Sequence, residues 1–152
     1  MNVVVNLDEE RDFRRRALRA MPNEYMEVLY GFVEGDTINI CHFGEIDHEG
    51  TQTRLECEPG AWEYCEWLAK MSGMELLGSI HTHPYRDHTM YSYIDAVSSA
   101  EYGETVLAVC AIDATKPRRK TIIDYWPAIK AMDVVRCKWD AGRKTKRGKR
   151  KK

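Results

Sequence analysis

Seven consecutive residues, "VLAVCAI" from Val106 to Ile112, are apolar without interruption. A strand points successive side chains to opposite faces, so a strand apolar at every position needs cover on both. The rest of the chain must therefore supply a layer above and a layer below a sheet. Its patterning does so. "NLDEERDFRRRALRAMP" reads as a first helix, with Asn6 and Glu9 as its start signal and Pro22 as its stop. Phe13, Ala17 and Met21 form its apolar stripe. "EYMEVLYGFVEGDTINICHFGEI" reads as a hairpin turning at "EGDT". "EPGAWEYCEWLAKMSGM" reads as a second helix, apolar at Trp62, Cys65, Leu68 and Ala69 and ending at Gly73.

"ELLGSIHTHP" reads as a strand whose alternation places Leu77, Ser79, His81 and His83 on one face. "SYIDAVSSAEYG" is a short helix ending at Gly103, and "KTIIDYW" and "MDVVRCKW" are two further strands. The order αββαβαβββ describes one α/β domain, a mixed β-sheet flanked by helices. It is expected to span residues 1–140, with a basic tail over 141–152.

Charge separates the tail from the body. The net charge is -1, but the last ten residues, "RKTKRGKRKK", contain eight Lys or Arg and no acid. The remainder holds 15 basic residues against 24 acidic ones. So charged a segment, with so little apolar content, reads as disordered. Residues 143–152 offer a contact for nucleic acid or an acidic partner, or simply a solubilising end.

Five cysteines at 41, 57, 65, 110 and 137 include no C-x-x-C pair. That excludes a zinc ribbon and a fully paired disulfide framework. Cys41 and Cys110 read as small core residues, and Cys57 and Cys65 lie close enough in sequence to pair across a turn. No apolar run reaches 18 residues and the N-terminus lacks the pattern of a secretory signal, so a soluble cytoplasmic protein with no membrane role is expected.

The chemistry concentrates in "HTHPYRDHTMYSYID", residues 81–95. His81 and His83, at i and i+2 on a strand, point to the same side, and Pro84 ends the strand beside them. Two imidazoles and a third ligand, for which Asp95 is a candidate, would suit catalytic zinc with one position left open. The competing reading is structural. Ser92 and Asp95 have the spacing of a helix capping box, and an H-x-H pair on a strand also arises without a metal. His42, His48 and His88 lack comparable partners.

The whole pattern of His81, His83, Pro84, seven residues, Ser92, two residues and Asp95 resembles the H-x-H-P-x7-S-x-x-D motif of the JAMM (MPN-plus) metalloproteases. "MPNEYMEVLYG" adds Pro22, Glu24 and Gly31, similar to the P-x-E entry into that family's first strand, especially in its compact archaeal members. Glu27 competes with Glu24 but lacks the preceding proline and the spacing to the glycine. The likeness covers about residues 8 to 127. Tyr91, where many members have proline, and Glu27, where many have a small residue, depart from the pattern without touching the proposed ligands.

The resemblance implies an MPN-like (cytidine-deaminase-like) fold. It also implies one zinc per chain on His81, His83 and Asp95, Glu24 as general acid and base, and Ser92 as oxyanion donor. It further implies an isopeptidase removing ubiquitin or ubiquitin-like modifiers. A chain with few residues between Asp95 and the next strand lacks the long insertion by which larger relatives select linkages, so low selectivity is expected. Two alternatives remain. One is a peptidase of the same machinery trimming the C-terminus of a sulfur-carrier or phage structural protein. The other is a non-catalytic scaffold that binds nucleic acid through the tail. No H-x-E with P-C-x-x-C is present, which disfavours a deaminase.

Overall fold

The computed structural model describes residues 1–115 and 119–127. Among these residues three helices and eight strands follow one another as β1 (Asn2–Val5), α1 (Leu7–Ala20), β2 (Met26–Glu34), β3 (Thr37–Gly44), β4 (His48–Gly50), β5 (Leu55–Cys57), α2 (Ala61–Met71), β6 (Glu75–Pro84), α3 (Tyr93–Glu101), β7 (Val106–Asp113) and β8 (Lys120–Pro127). Six strands form one mixed sheet in the order β1-β3-β2-β6-β7-β8, and β4 and β5 make a separate two-stranded ribbon. The β1–β3 and β6–β7 pairs are parallel, and the other three pairs in the large sheet are antiparallel.

The apolar run at 106–112 behaves as its composition requires. Every residue of β7 is buried. Val106, Ala108, Cys110 and Ile112 face the cluster built on Phe13 and Ala17 of α1. Leu107 and Val109 face the opposite way, packing with Tyr91, Ala96 and Trp126. On that second side α2 covers the other half of the sheet, where Trp62, Cys65 and Ala69 meet Met26, Val28 and Tyr30. One helix above and two below give the expected layered α/β architecture.

Local signals explain the helix ends. Asn6 caps α1 by accepting from the N–H groups of Asp8 and Glu9 at 3.0 and 3.2 Å. Arg14 and Glu10 then tie α1 across the sheet to β8, through Thr121 O at 2.7 Å and the Tyr125 hydroxyl at 2.6 Å. The helix α3 opens on Ser92 with the capping box its spacing implied.

Some elements differ from expectation. The N-terminal strand β1 and the β4–β5 ribbon carry no strong alternation, and both form through tertiary pairing. Leu77 does not share a face with Ser79. The β2–β6 register passes from Leu29↔Gly78 to Tyr30↔Leu76, skipping Leu77. That bulge turns Leu77 into the α1-side cluster with Ile80. Cys110 is a core residue, whereas Cys41 is only half-buried, and Cys57 and Cys65 are both free thiols. The expected strand "MDVVRCKW" and the basic tail lie outside the described residues. No helix among the described residues is long and apolar enough to cross a membrane.

Among the described residues Glu27 is the one charged side chain at zero exposure. It lies on the α1 face, where Arg16 Nε and Nη2 donate to its two oxygens at 2.6 and 3.0 Å and the Tyr25 hydroxyl also donates to it. Removing one partner of such a buried pair strands the others. Glu27→Ala is therefore expected to lower unfolding free energy by about 2–3 kcal/mol, discounted because Arg16 is partly exposed. Denaturant titration measures this, and a loss under about 0.5 kcal/mol, the range of a neutral surface change, would contradict it.

Candidate metal centre

The parallel β6–β7 pair and the helix between them bring the site residues together. Ligand sites in open α/β sheets gather at the carboxyl ends of strands, next to the start of the following helix. His81 and His83 stand at that end of β6, opposite Val109 and Ala111. Both histidines are buried. The chain then leaves the sheet through Pro84 and Tyr85, whose φ of 60° is unusual for a side-chain-bearing residue. The Arg86 N–H closes that corner on Ile112 O at 3.1 Å. Seven residues later α3 begins, and its first turn points Asp95 back at the histidines.

Three atoms converge there. His81 Nε2 and His83 Nε2 are 3.0 Å apart, and Asp95 Oδ2 lies 3.1 Å from the first and 3.2 Å from the second. The rings pack edge-on, with centroids 4.8 Å apart. Nitrogen and oxygen ligands held at about 2.0–2.2 Å in a tetrahedral zinc shell stand roughly 3.3 Å from each other, close to this triangle. The donor types and spacing fit a zinc ion. Among the described residues no other His, Cys, Asp or Glu joins the cluster. Asp87 and His88, in the same stretch, are exposed.

Electrostatics follow from the convergence. Burial pushes the Asp95 carboxyl up, but His81, His83 and the Ser92 N–H more than reverse this and hold it far below the carboxylate range. Burial opposes charge on both imidazoles. For His81 the neighbouring Asp95 and Glu24 outweigh it and the net shift is upward, whereas for His83 burial prevails and the net shift is downward.

Asp95 also works for the helix. Its Oδ2 accepts from Ser92 N at 2.8 Å, while Ser92 Oγ accepts from Asp95 N at 3.0 Å. The capping reading thus holds, and the same geometry leaves Asp95 Oδ2 facing the two imidazoles. Because Ser92 Oγ acts as an acceptor in the cap, its own proton stays free to donate.

Glu24 lies just before β2. Met26 is paired with His81, so alternation sends Glu24 to the same side as the two histidines. Burial raises its carboxyl above the usual range, with His81 and Arg86 pulling it down and Asp95 adding to the rise. Those influences show that Glu24 shares the field of the cluster. Glu27 sits on the opposite face, engaged with Arg16 and Tyr25. Of the two glutamates, the fold brings only Glu24 to the cluster side.

Other neighbours had no sequence signal. Glu104, buried at the entry to β7, accepts from Ser79 Oγ at 2.5 Å, and its charge also acts on His81. His48, read as partnerless, donates from Nδ1 to Ile46 O at 2.7 Å and so presents Nε2 as acceptor to Met26 N at 3.4 Å. Both depend on chain reversals that composition does not encode. Tyr85, Tyr93 and Ile94, within two residues of His83 or Asp95 in sequence, are exposed.

In fold, the chain is similar to protein DSY2949 of Desulfitobacterium hafniense, with a TM-score of 0.66 at 18% identity over 86% of either chain. It also aligns with AF2198, a JAB1/MPN domain protein of Archaeoglobus fulgidus, at a TM-score of 0.49 and 13% identity, over 84% of this chain and 90% of that one. The second likeness is too loose to carry an argument. No family model and no curated protein matches the sequence.

The β4–β5 ribbon presses Gly50 against the backbone of Glu24. A Cβ at position 50 would lie 1.9 Å from Glu24 O, and the Glu24 N–H donates to Thr51 O at 2.7 Å. Gly50→Ala is expected to cost about 1–3 kcal/mol through this overpacking and to speed exchange of the Glu24 amide. A variant of unchanged stability with a protected amide would show that the backbone absorbs the methyl freely.

Proposed function

We propose that this chain is a zinc-dependent peptidase of the JAMM (MPN-plus) type, cleaving an amide bond at the C-terminal tail of a ubiquitin-like protein. One observation carries the reading: His81 Nε2, His83 Nε2 and Asp95 Oδ2 converge within 3.0–3.2 Å at the end of a strand, beside a carboxylate held on the same side. The sequence resemblance supplies the substrate class, and the fold is compatible with it. The ubiquitin-like conjugate as partner, the cytoplasm as its place of action, and any contact made by the tail at 143–152 all belong to this proposal.

His81, His83 and Asp95 would hold zinc. When bound, zinc supplies a water activated near neutral pH and polarisation of the scissile carbonyl. Glu24 would accept a proton from the attacking water and return one to the departing amine; one carboxylate can serve as base and then acid. Its partly buried setting favours the exchange, because a carboxyl pushed upward holds a proton more readily than a solvated one. Ser92 Oγ, an acceptor in the cap, turns its proton to the oxyanion. An extended substrate tail would add backbone hydrogen bonds in the manner of a strand.

Zinc stoichiometry tests the foundation. Purified protein is expected to hold about one zinc per chain, by the open three-ligand rule, and the His81→Ala, His83→Ala double variant none. Zinc absent from metal-replete wild type would sink the reading. Linear and lysine-linked ubiquitin-like fusions test the activity. Cleavage should stop with chelator and fall about 10²–10⁴-fold in Glu24→Gln. Full activity in Glu24→Gln would remove Glu24 from the mechanism.

A further inference from the structure

Three consecutive amides at the start of β2 are held by three different parts of the molecule. Glu24 N–H donates to Thr51 O at 2.7 Å, Tyr25 N–H to the Thr82 hydroxyl at 2.8 Å, and Met26 N–H to His48 Nε2 at 3.4 Å. Thr82 N–H also donates to Tyr25 O at 2.8 Å. Residue 82 thus grips both backbone polar groups of Tyr25, the N–H through its side chain and the C=O through its own N–H. The paired register of β2 with β6 begins at Met26↔His81, so beyond it the Tyr25 N–H finds a side chain in place of a strand carbonyl.

We propose that Thr82 is a positioning residue for Glu24, its hydroxyl fixing the distance from the glutamate to the His81–His83–Asp95 cluster. This rests on the reading of Glu24 as the proton carrier. The geometry gives "HTH" a division of labour. The two histidines turn to the cluster, while the threonine between them turns to the other face, fully buried, and clamps the strand that brings the base. Ligands and base clamp then sit on three successive residues, so the separation between them is set over the shortest possible stretch of chain. A buried N–H that loses its only acceptor moves to find another, and Tyr25 cannot move without carrying Glu24. Tyr25 is further tethered by its own hydroxyl to Glu27 and by its ring edge to His48. Of the contacts Tyr25 makes, its amide is the one nearest the base, and it depends on a single hydroxyl.

The test compares Thr82→Val, of the same shape but without the hydroxyl, with Thr82→Ser, which keeps it. Thr82→Ala replaces the valine variant should that one fail to fold. Zinc content, kcat, KM and exchange of the Tyr25 amide are measured on the full chain. Thr82→Val is expected to keep its zinc and a KM within about twofold of wild type. Its kcat should drop about ten- to a hundredfold, the scale of a misplacement near 1 Å, and exchange of the Tyr25 amide should accelerate. Thr82→Ser should restore both. A Thr82→Val enzyme with normal kcat or a protected Tyr25 amide overturns the proposal. So does loss of zinc together with kcat, which would place the effect on the ligands, or a serine variant as impaired as the valine one. Wild type without metal-dependent hydrolysis would instead sink the peptidase reading and the clamp's purpose with it, while amide exchange would still report whether the hydroxyl holds Tyr25.

Discussion

Everything in this molecule depends on β7 being buried on both faces. A strand of Val106, Leu107, Ala108, Val109, Cys110, Ala111 and Ile112 has no side that water can take. It therefore commits α1 to one side of the sheet and α2 with α3 to the other, and it favours a partner on each edge, which β6 and β8 provide. Because β6 runs parallel to it, the chain must cross over between the two, and α3 is that crossover. The start of α3 consequently lies beside the end of β6. The meeting of Asp95 with His81 and His83 follows from a core constraint before any chemistry is asked of it.

Much of this was legible in the residues. Uninterrupted apolar runs, periodic stripes and capping residues specify local choices, and α1, α2, α3, β2, β3, β6, β7 and β8 follow from them. The three residues of the cluster were legible for a different reason. Two histidines two apart on a strand share a face by geometry alone, and Asp95 is tied to the start of its helix by a cap. Glu24 was legible only through its spacing to Pro22 and Gly31, since nothing local separates it from Glu27. What separates the two in the fold is strand parity. Residues 24 and 27 differ by an odd number, so one faces the cluster and the other faces α1.

The rest was not legible because it lives in tertiary contacts. His48, Gly50 and Thr51 sit in a polar stretch with weak alternation, and their value comes from lying against the start of β2. The bulge that turns Leu77 away from Ser79 depends on how β6 pairs with β2, and strict alternation along one strand cannot see it. Glu104 is a charged residue beside Gly103, the usual signature of a solvated turn, yet the crossover buries it against Ser79.

The double employment of Asp95 has a thermodynamic side. The same carboxylate oxygen that faces the two imidazoles accepts the N-cap amide of Ser92, just ahead of α3, and no other acidic residue occupies that turn. Any occupant of the space between the three donor atoms therefore competes with, or reinforces, the hydrogen bond on which a nine-residue helix begins. Site occupancy and the fraying of α3 become linked equilibria. The local opening rate of that helix, and of the loop leading into it, becomes a gauge of what the cluster holds.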